Sequence, residues 1–474
     1  MNFEPILKRF SQMQTGATAP VGLVGAGEFG ATFVAQARRM PALQVAGLCD
    51  RDIDRARAAA RAAGFDAAEV VVCGDLPQAL QAQREGRIVV CDSAALLSQL
   101  PLAAVLEATG DPHGAAATAQ ACLEAGRHVV LATKEAEIVV GAELARLAAE
   151  HRVVCAPVDG DQPSLLIGLV EWARLLGLPV VAAGKASESD FVWDPQAGSI
   201  TAWGRRVDAP SFAPWFAPEL GHWSQAMEAR RGLPYAMTTV PDLCEMGIVA
   251  NHTGLMPDCD TLHAPLARTV ELPALFRPRA SGGLLGAKGR VDMFNCLRRP
   301  DELSFAGGVF VVVEAPDAAT GQLFAAKGIP TSGDGRHVLI HNPVHLLGVE
   351  AAMSVLSAVQ LGCSTGGSQV RPVVDLVAVA QRTLEPGEVF TIGTRHVIDG
   401  LEHRLWPARA AAESAPLPYY LASGARLARR VPAGRPLCWG DVVLDEGSVL
   451  CRLRRAQDRH FLDDSCSAGA HALP

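Results

Sequence analysis

The sequence predicts an α/β protein in three parts: a doubly wound parallel sheet over 1–158, an α+β domain over 159–370 and a small all-β domain over 371–457, followed by a tail at 458–474. Three observations predict it. Short apolar strands alternate with helices through 20–158, which requires a parallel sheet with helices on both faces. Residues 159–370 are less regular, with isolated strands and long apolar helices. From 371 onward, turn signals such as Glu385-Pro386-Gly387 and Pro432-Ala433-Gly434 separate short strands. A length of 474 residues allows about two to four domains.

The elements follow in order. Pro20–Val24 is an apolar strand, Thr32–Met40 a helix, Leu43–Cys49 a second strand and Arg51–Ala63 an Ala/Arg-rich helix. Val105–Ala108 is a later strand ended by Thr109-Gly110. The helix Gly114–Ala125 stops at Gly126, where a helix end favours φ > 0. His128–Ala132, Ala142–Glu150 and Val153–Val158 complete the first part. In the second, a helix Pro163–Leu176 leads to the strand Val180–Lys185. Residues 191–223 are rich in Pro and Gly and hold Trp193, Trp203, Trp215 and Trp223, expected as an aromatic lid, a subunit contact or ordinary packing. Thr239–Thr253 and Val344–Leu361 are helices, and Gly308–Glu314 is a strand.

Composition excludes several function classes. With 49% hydrophobic residues the chain buries sizeable cores without disulfides or metals. A net charge of −8 with no basic block speaks against nucleic-acid binding. No run reaches the roughly 20 apolar residues of a membrane span, and Met1–Thr18 lacks an apolar core of signal-peptide length. Twelve cysteines without a C-x-x-C pair read as buried free thiols, hence a reducing, cytoplasmic compartment.

The strongest motif is Gly25-Ala26-Gly27-Glu28-Phe29-Gly30, between a predicted strand and a predicted helix. Gly25 allows the tight turn, Gly27 the approach of a pyrophosphate, and Gly30 close helix–strand packing; the helix N-terminus offers N–H groups to phosphates. This is the Rossmann fingerprint. Asp50, at the end of the second strand, suits the adenosine ribose hydroxyls and repels a 2′-phosphate, favouring NAD; the adjacent Arg51 leaves NADP open. Thr109 and Gly110 end a later strand on the same side, near the expected nicotinamide ribose.

At this point the chain resembles the homoserine dehydrogenase type of NAD(P)-dependent oxidoreductase, in particular relatives ending in a SAF (β-clip) domain such as the 1-deoxy-D-xylulose 5-phosphate reductoisomerase-like (DRL) proteins. The resemblance rests on GAGEFG (25–30), EATGDP (107–112), GDQPS (160–164), AAGK (182–185), EMGIVANHTGLMPD (245–258), GGLLGAKGRVD (282–292) and HNPVHLLGVE (341–350). It implies a catalytic and dimerisation role for 159–370 and a SAF domain at 371–457. Departures point away from the isomeroreductase activity. Asp50 stands where the DRL pattern has no acid, Ser187 stands where it has a second lysine, and Thr133-Lys134 resembles the Asn-Lys segment of homoserine dehydrogenases.

Hydride transfer needs a proton donor or acceptor beside the nicotinamide. Lys134 and Lys185 follow apolar strands at C-terminal strand ends, where α/β sites lie, and burial can lower a lysine's pKa. Asp161 is placed to orient a lysine or substrate hydroxyl, or to cap the next helix. Glu245 shares a helix face with His252, seven residues on, and Asn251 is adjacent. These residues read as a substrate edge or a solvated face. Lys288, between Gly286 and Gly289, suits a substrate carboxylate or phosphate. Pro343 between His341 and His345 argues against a helical zinc pair, so no metal is expected. The function expected is an NAD(P)-dependent dehydrogenase of a small hydroxylated substrate, acting as a homodimer or homotetramer by analogy. The alternatives are a reductoisomerase using NADPH and a divalent cation, and a non-catalytic dinucleotide-sensing or carbohydrate-binding protein.

Overall fold

The computed structural model describes residues 18–463 apart from 219–222 and 236. The described residues form two compact units. The first draws on Met1–Ser164, Leu346–Glu402 and Pro407–Pro474; the second on Leu165–His345 and His403–Trp406.

In the first unit, seven strands form a parallel sheet: β1 (Ala19–Val24), β2 (Leu43–Cys49), β3 (Val70–Val72), β4 (Ile88–Cys91), β5 (Ala104–Glu107), β6 (His128–Leu131) and β7 (Cys155–Pro157). Their order is β3-β4-β2-β1-β5-β6-β7. The inner strands are continuous apolar runs because both faces are covered. Succession runs outward in opposite directions from β1 and β5, so the crevice at their carboxyl ends is the topological switch point, where α/β proteins bind ligands. The core packs Leu23, Phe33, Val34 and Leu106 with Ala351, Ala352 and Val355. These last three belong to the helix Gly348–Leu356. It starts later than the expected Val344 because Pro343 and the positive φ of Leu347 (54°) interrupt the chain. A side chain at Gly348 would collide with the Phe29 carbonyl and Thr32, so that glycine sets how closely the helix lies on Glu28–Ala37.

The same unit carries a small antiparallel β region. Its main strand is Val374–Ala380, with bridges Val377–Pro418, Val379–Pro436 and Leu384–Val431. Tyr419 and Tyr420 pack edge-to-face in its core. A helix, Val449–Phe461, follows, so residues 458–461 form a last helical turn rather than part of a tail. Gln457 ties it down by donating to the Val139 carbonyl (2.9 Å) and accepting from Glu143 N–H (3.2 Å). The wholly buried Arg454 pairs with Asp375 and Asp458. Residues 1–17, 464–474 and the side chain of Trp223 lie outside the described residues.

The second unit is a mixed sheet in the order β11-β10-β9-β14-β8-β15-β16. The strands are β8 (Val180–Ala186), β9 (Phe191–Asp194), β10 (Ser199–Ala202), β11 (Arg205–Asp208), β12 (Met256–Pro257), β13 (Leu266–Ala267), β14 (Arg290–Arg298), β15 (Val309–Glu314) and β16 (His337–Asn342), with β12 and β13 also pairing β14. The Trp-containing stretch therefore holds three strands, β9 to β11, and the short helix Ala213–Phe216. Trp203 and Gly204, both at positive φ (53° and 70°), make the two-residue turn between β10 and β11, whose twist suits a hairpin. Trp193 packs against Phe216 (4.7 Å between centroids) and Phe212 (5.9 Å) in a local core, which makes it packing rather than a lid.

Among the described residues no helix is long and apolar enough to cross a membrane. The described cysteines are free, and Cys49 and Cys91 face each other across β2 and β4.

Candidate functional site

In the first unit the glycine turn joins β1 to the helix Glu28–Ala37. Gly25 has φ +97°, and a side chain there would strike the backbone of Ala108. A Cβ on Gly30 would strike the Gly25 carbonyl, whereas one on Gly27 would meet nothing within 4 Å. The turn thus leaves open the position where a phosphate approaches the helix N-terminus. Glu28 is exposed in the first helical turn and Phe29 is half-buried against the core.

Asp50 braces this turn. Its Oδ2 accepts the Ala26 N–H (2.8 Å) and its Oδ1 the Asp52 N–H (2.9 Å). Arg51 is exposed and paired with Asp111 at 2.8 Å. A cleft of about 650 Å³ runs from Asp50, Arg51 and Arg55 past Gly25 and Gly27 to Thr109 and Asp111. The open position at Gly27, the fixed carboxylate and the cleft between them fit a dinucleotide.

At the carboxyl end of β5, Thr109 donates its N–H (3.0 Å) and hydroxyl (2.5 Å) to Glu107 Oε1. Gly110 donates to Thr133 Oγ1 (2.9 Å). Glu107 was not singled out by sequence; it is fully buried at the end of β5. Burial pushes its carboxyl up from 4.5 to about 7, against the pull of the Thr109 and Thr133 hydroxyls. Since the folded value lies above the unfolded one, the folded state is penalised progressively as pH rises from 4.5 to about 7 and fully beyond it. At about 1.4 kcal/mol per tenfold change in proton affinity, the penalty is about 3 kcal/mol. Glu107→Gln keeps the acceptor and removes the charge. In urea unfolding it is expected to be more stable than wild type by up to about 3 kcal/mol at pH 8, with the gain vanishing near pH 4.5. A gain independent of pH would contradict this account.

Lys134 opens the helix Lys134–Glu150 after β6, and Asp161 follows β7. Their side chains meet: Nζ lies 3.1 Å from Oδ2, and both are about one-fifth exposed. Asp161 Oδ1 also accepts the Gln162 N–H at 2.9 Å, so it orients a lysine and caps a helix at once.

In the second unit Lys185, on β8, is wholly buried. Its Nζ pairs with Asp242 Oδ1 (2.7 Å) and with Glu245. Burial pushes its pKa down, but Asp242, Glu245 and Glu188 outweigh burial and hold it above the ordinary value. This corrects the expectation of a lysine whose pKa burial lowers. Asp242 was missed by sequence, although Thr239-Val240-Pro241-Asp242 has the capping-box pattern and Asp242 sits three residues before Glu245. The helix Val240–Thr253 is buried on all sides, Asn251 and His252 included, which overturns the solvated-face alternative.

Lys288 is half exposed and paired with Glu314 at 2.7 Å. Glu314 N–H bonds the Pro179 carbonyl, just before β8, whereas Lys185 is near the far end of that strand. At roughly 3.3 Å per residue the two lysines lie about 16 Å apart along β8, so the structure does not gather them. His263, also unforeseen, donates its Nδ1–H to Asp292 (2.6 Å) and faces Asp258 (3.5 Å). The hydrogen bond to buried Asp292 raises its pKa against burial. Among the described residues no group of three or more His, Cys, Asp or Glu is placed to hold a metal ion.

Residues 223–351 match the family described as "Oxidoreductase DRL, catalytic domain". No curated protein matches the chain. Solved structures resemble parts of it. One is biliverdin reductase with biliverdin and NADP+ from Synechocystis sp. PCC 6803, with 23% identity over 37% of this chain and 48% of that one, TM-score 0.25. Another is DOX-P reductoisomerase with magnesium, with 16% identity over 36% and 46%, TM-score 0.27. A third is an oxidoreductase domain protein from Kribbella flavida, with 23% identity over 38% and 44%, TM-score 0.27. The chain spans about half the length of each. The chain thus joins a doubly wound parallel sheet to a segment, 223–351, that matches an oxidoreductase catalytic domain.

Proposed function

We propose that the chain is an NAD-dependent dehydrogenase or reductase of a small hydroxylated substrate, with the dinucleotide in the first unit's cleft. The observation carrying this reading is Asp50, whose carboxylate is fixed by two backbone N–H groups at the mouth of a cleft that begins at the glycine turn. When bound, the nicotinamide supplies or accepts the hydride. The chain's own residues do the rest. The N-terminus of Glu28–Ala37 receives the pyrophosphate, and Asp50 accepts from the ribose hydroxyls and disfavours a 2′-phosphate. Lys134, oriented by Asp161 and partly open to solvent, is the proton carrier this reading prefers. Lys185 with Asp242 and Glu245 forms a buried cluster of one cation and two carboxylates that shapes the matched catalytic segment. The small β region takes the place of the SAF domain that the resemblance implies.

Fluorescence titration with NADH and NADPH tests the reading. Wild type is expected to bind NADH more tightly, and Asp50→Ser to shift the preference toward NADPH by about tenfold, the effect of losing one charge-assisted contact. Tighter NADPH binding by wild type would overturn the NAD assignment. No binding of either would overturn the dehydrogenase reading.

A further inference from the structure

Building on that cofactor reading, we propose that His396, from the C-terminal β region, closes the nicotinamide end of the cleft and is held there by Glu135. His396 is then a positioning residue, and the β region is part of the cofactor site.

Three observations in the first unit carry this. Glu135 follows Lys134 at the start of its helix and is 1% exposed. A carboxylate so enclosed requires a partner, and His396 Nδ1 stands 2.8 Å from its Oε1. The contact has ion-pair distance without hydrogen-bond alignment. Second, the imidazole lies over Gly110: a Cβ added to Gly110 would sit 3.2 Å from His396 Cε1. Gly110 lies between Thr109 and Asp111, which line the cleft, and it follows β5, whereas Asp50 follows β2 on the opposite side of β1. If the adenosine ribose is at Asp50, the nicotinamide end is here, at the carboxyl end of β5 beside the switch point. A second tie, from His113 Nε2 to the Ser423 carbonyl (3.0 Å), docks the same β region on the helix that follows this turn.

Third, Arg395 and His396 are consecutive non-glycine residues at φ +55° and +61°. Such strain persists only where surroundings over-determine it, and it clusters at ligand clamps and active sites. Here the surroundings are Glu135 on one side and the Gly110 turn on the other. Glycine would take the same backbone without strain, so the strain marks the side chain that it holds between Glu135 and the Gly110 turn.

The test compares wild type, His396→Gly and Glu135→Gln. Binding of NADH and NADPH is followed by nicotinamide fluorescence. Binding of ADP-ribose, with and without a 2′-phosphate, is followed by calorimetry. Both variants are expected to bind the reduced dinucleotide about tenfold more weakly, the scale of one lost polar contact, with a changed emission of bound nicotinamide. ADP-ribose, which lacks that end, is expected to bind all three proteins equally. His396→Gly leaves Glu135 buried without this partner and is expected to melt lower, whereas His396→Gly combined with Glu135→Gln is expected to recover much of that loss. Equal weakening for ADP-ribose and dinucleotide, or no weakening of either, would overturn the inference while leaving the cofactor reading intact. Failure of wild type to bind ADP-ribose and both dinucleotides would overturn the cofactor reading, and this inference with it.

Discussion

Arg230→Ala is expected to destabilise the second unit by about 3–5 kcal/mol, the scale of a buried ion pair broken on one side. Arg230 is wholly buried, and its guanidinium makes five hydrogen bonds. Nε donates to the Trp215 carbonyl (2.7 Å), Nη1 to the Leu266 carbonyl (3.0 Å) and Nη2 to the Phe216 carbonyl (2.9 Å). Nη1 and Nη2 also bridge the two oxygens of Glu271 at 2.7 and 3.0 Å. Truncation leaves three carbonyls and a carboxylate without that partner in a buried site. Arg230→Lys is expected to recover little, because an ammonium cannot reproduce the planar fork. Arg230→Met with Glu271→Leu removes both charges and is expected to recover much of the loss. Unfolding in urea, followed by the emission of Trp193 and Trp215, reads all three. A loss below about 1 kcal/mol for Arg230→Ala, the level of an exposed pair, would show that the pair does not hold this core.

Arg230 also shows what a sequence conceals. Its five acceptors come from three stretches of chain, and nothing in Glu228-Ala229-Arg230-Arg231 distinguishes it from its exposed neighbour Arg231. The legible features were local. The glycine turn lies within six residues and dictates its own geometry, and β1 and β2 are apolar runs bounded by turn residues. Asp50 could be placed because strand, turn and acid follow one another at fixed spacing. By contrast β3, three half-exposed valines, is too short to display a period. The hairpin at Trp203 was hidden because a bulky residue rarely takes φ > 0. The position of Lys185 at a strand end was readable, but its ionisation was not. That depends on a helix placed against the strand by tertiary packing, with two carboxylates one turn apart. Lys288 failed for the same reason in reverse, since its partner Glu314 arrives only through the register of β15 on β8.

Lys185→Met is expected to cost about 3–5 kcal/mol, because it leaves Asp242 and Glu245 buried without their cation. Asp242 retains the Thr239 N–H (2.8 Å) and hydroxyl (2.6 Å) as donors, so the larger share of the loss falls on Glu245. Adding Glu245→Gln to Lys185→Met is accordingly expected to restore part of it. The pH dependence has a definite sign. The folded-state pKa of Lys185 lies above the ordinary 10.5, so its stabilisation is complete below that value and is lost as pH rises through the higher, folded value. Wild type should therefore lose stability at strongly alkaline pH by a step that Lys185→Met lacks. Identical alkaline limbs in the two proteins would mean that the carboxylates do not hold the proton. The same argument bears on catalysis. A lysine kept protonated by two carboxylates donates hydrogen bonds and positive charge, but it does not collect a proton near neutrality. The general base of hydride transfer must then be sought outside this cluster, at Lys134 paired with Asp161. Lys134→Met should lower the rate of hydride transfer by about 10²–10⁴-fold, the scale of a lost general base, whereas Glu245→Gln should lower it far less.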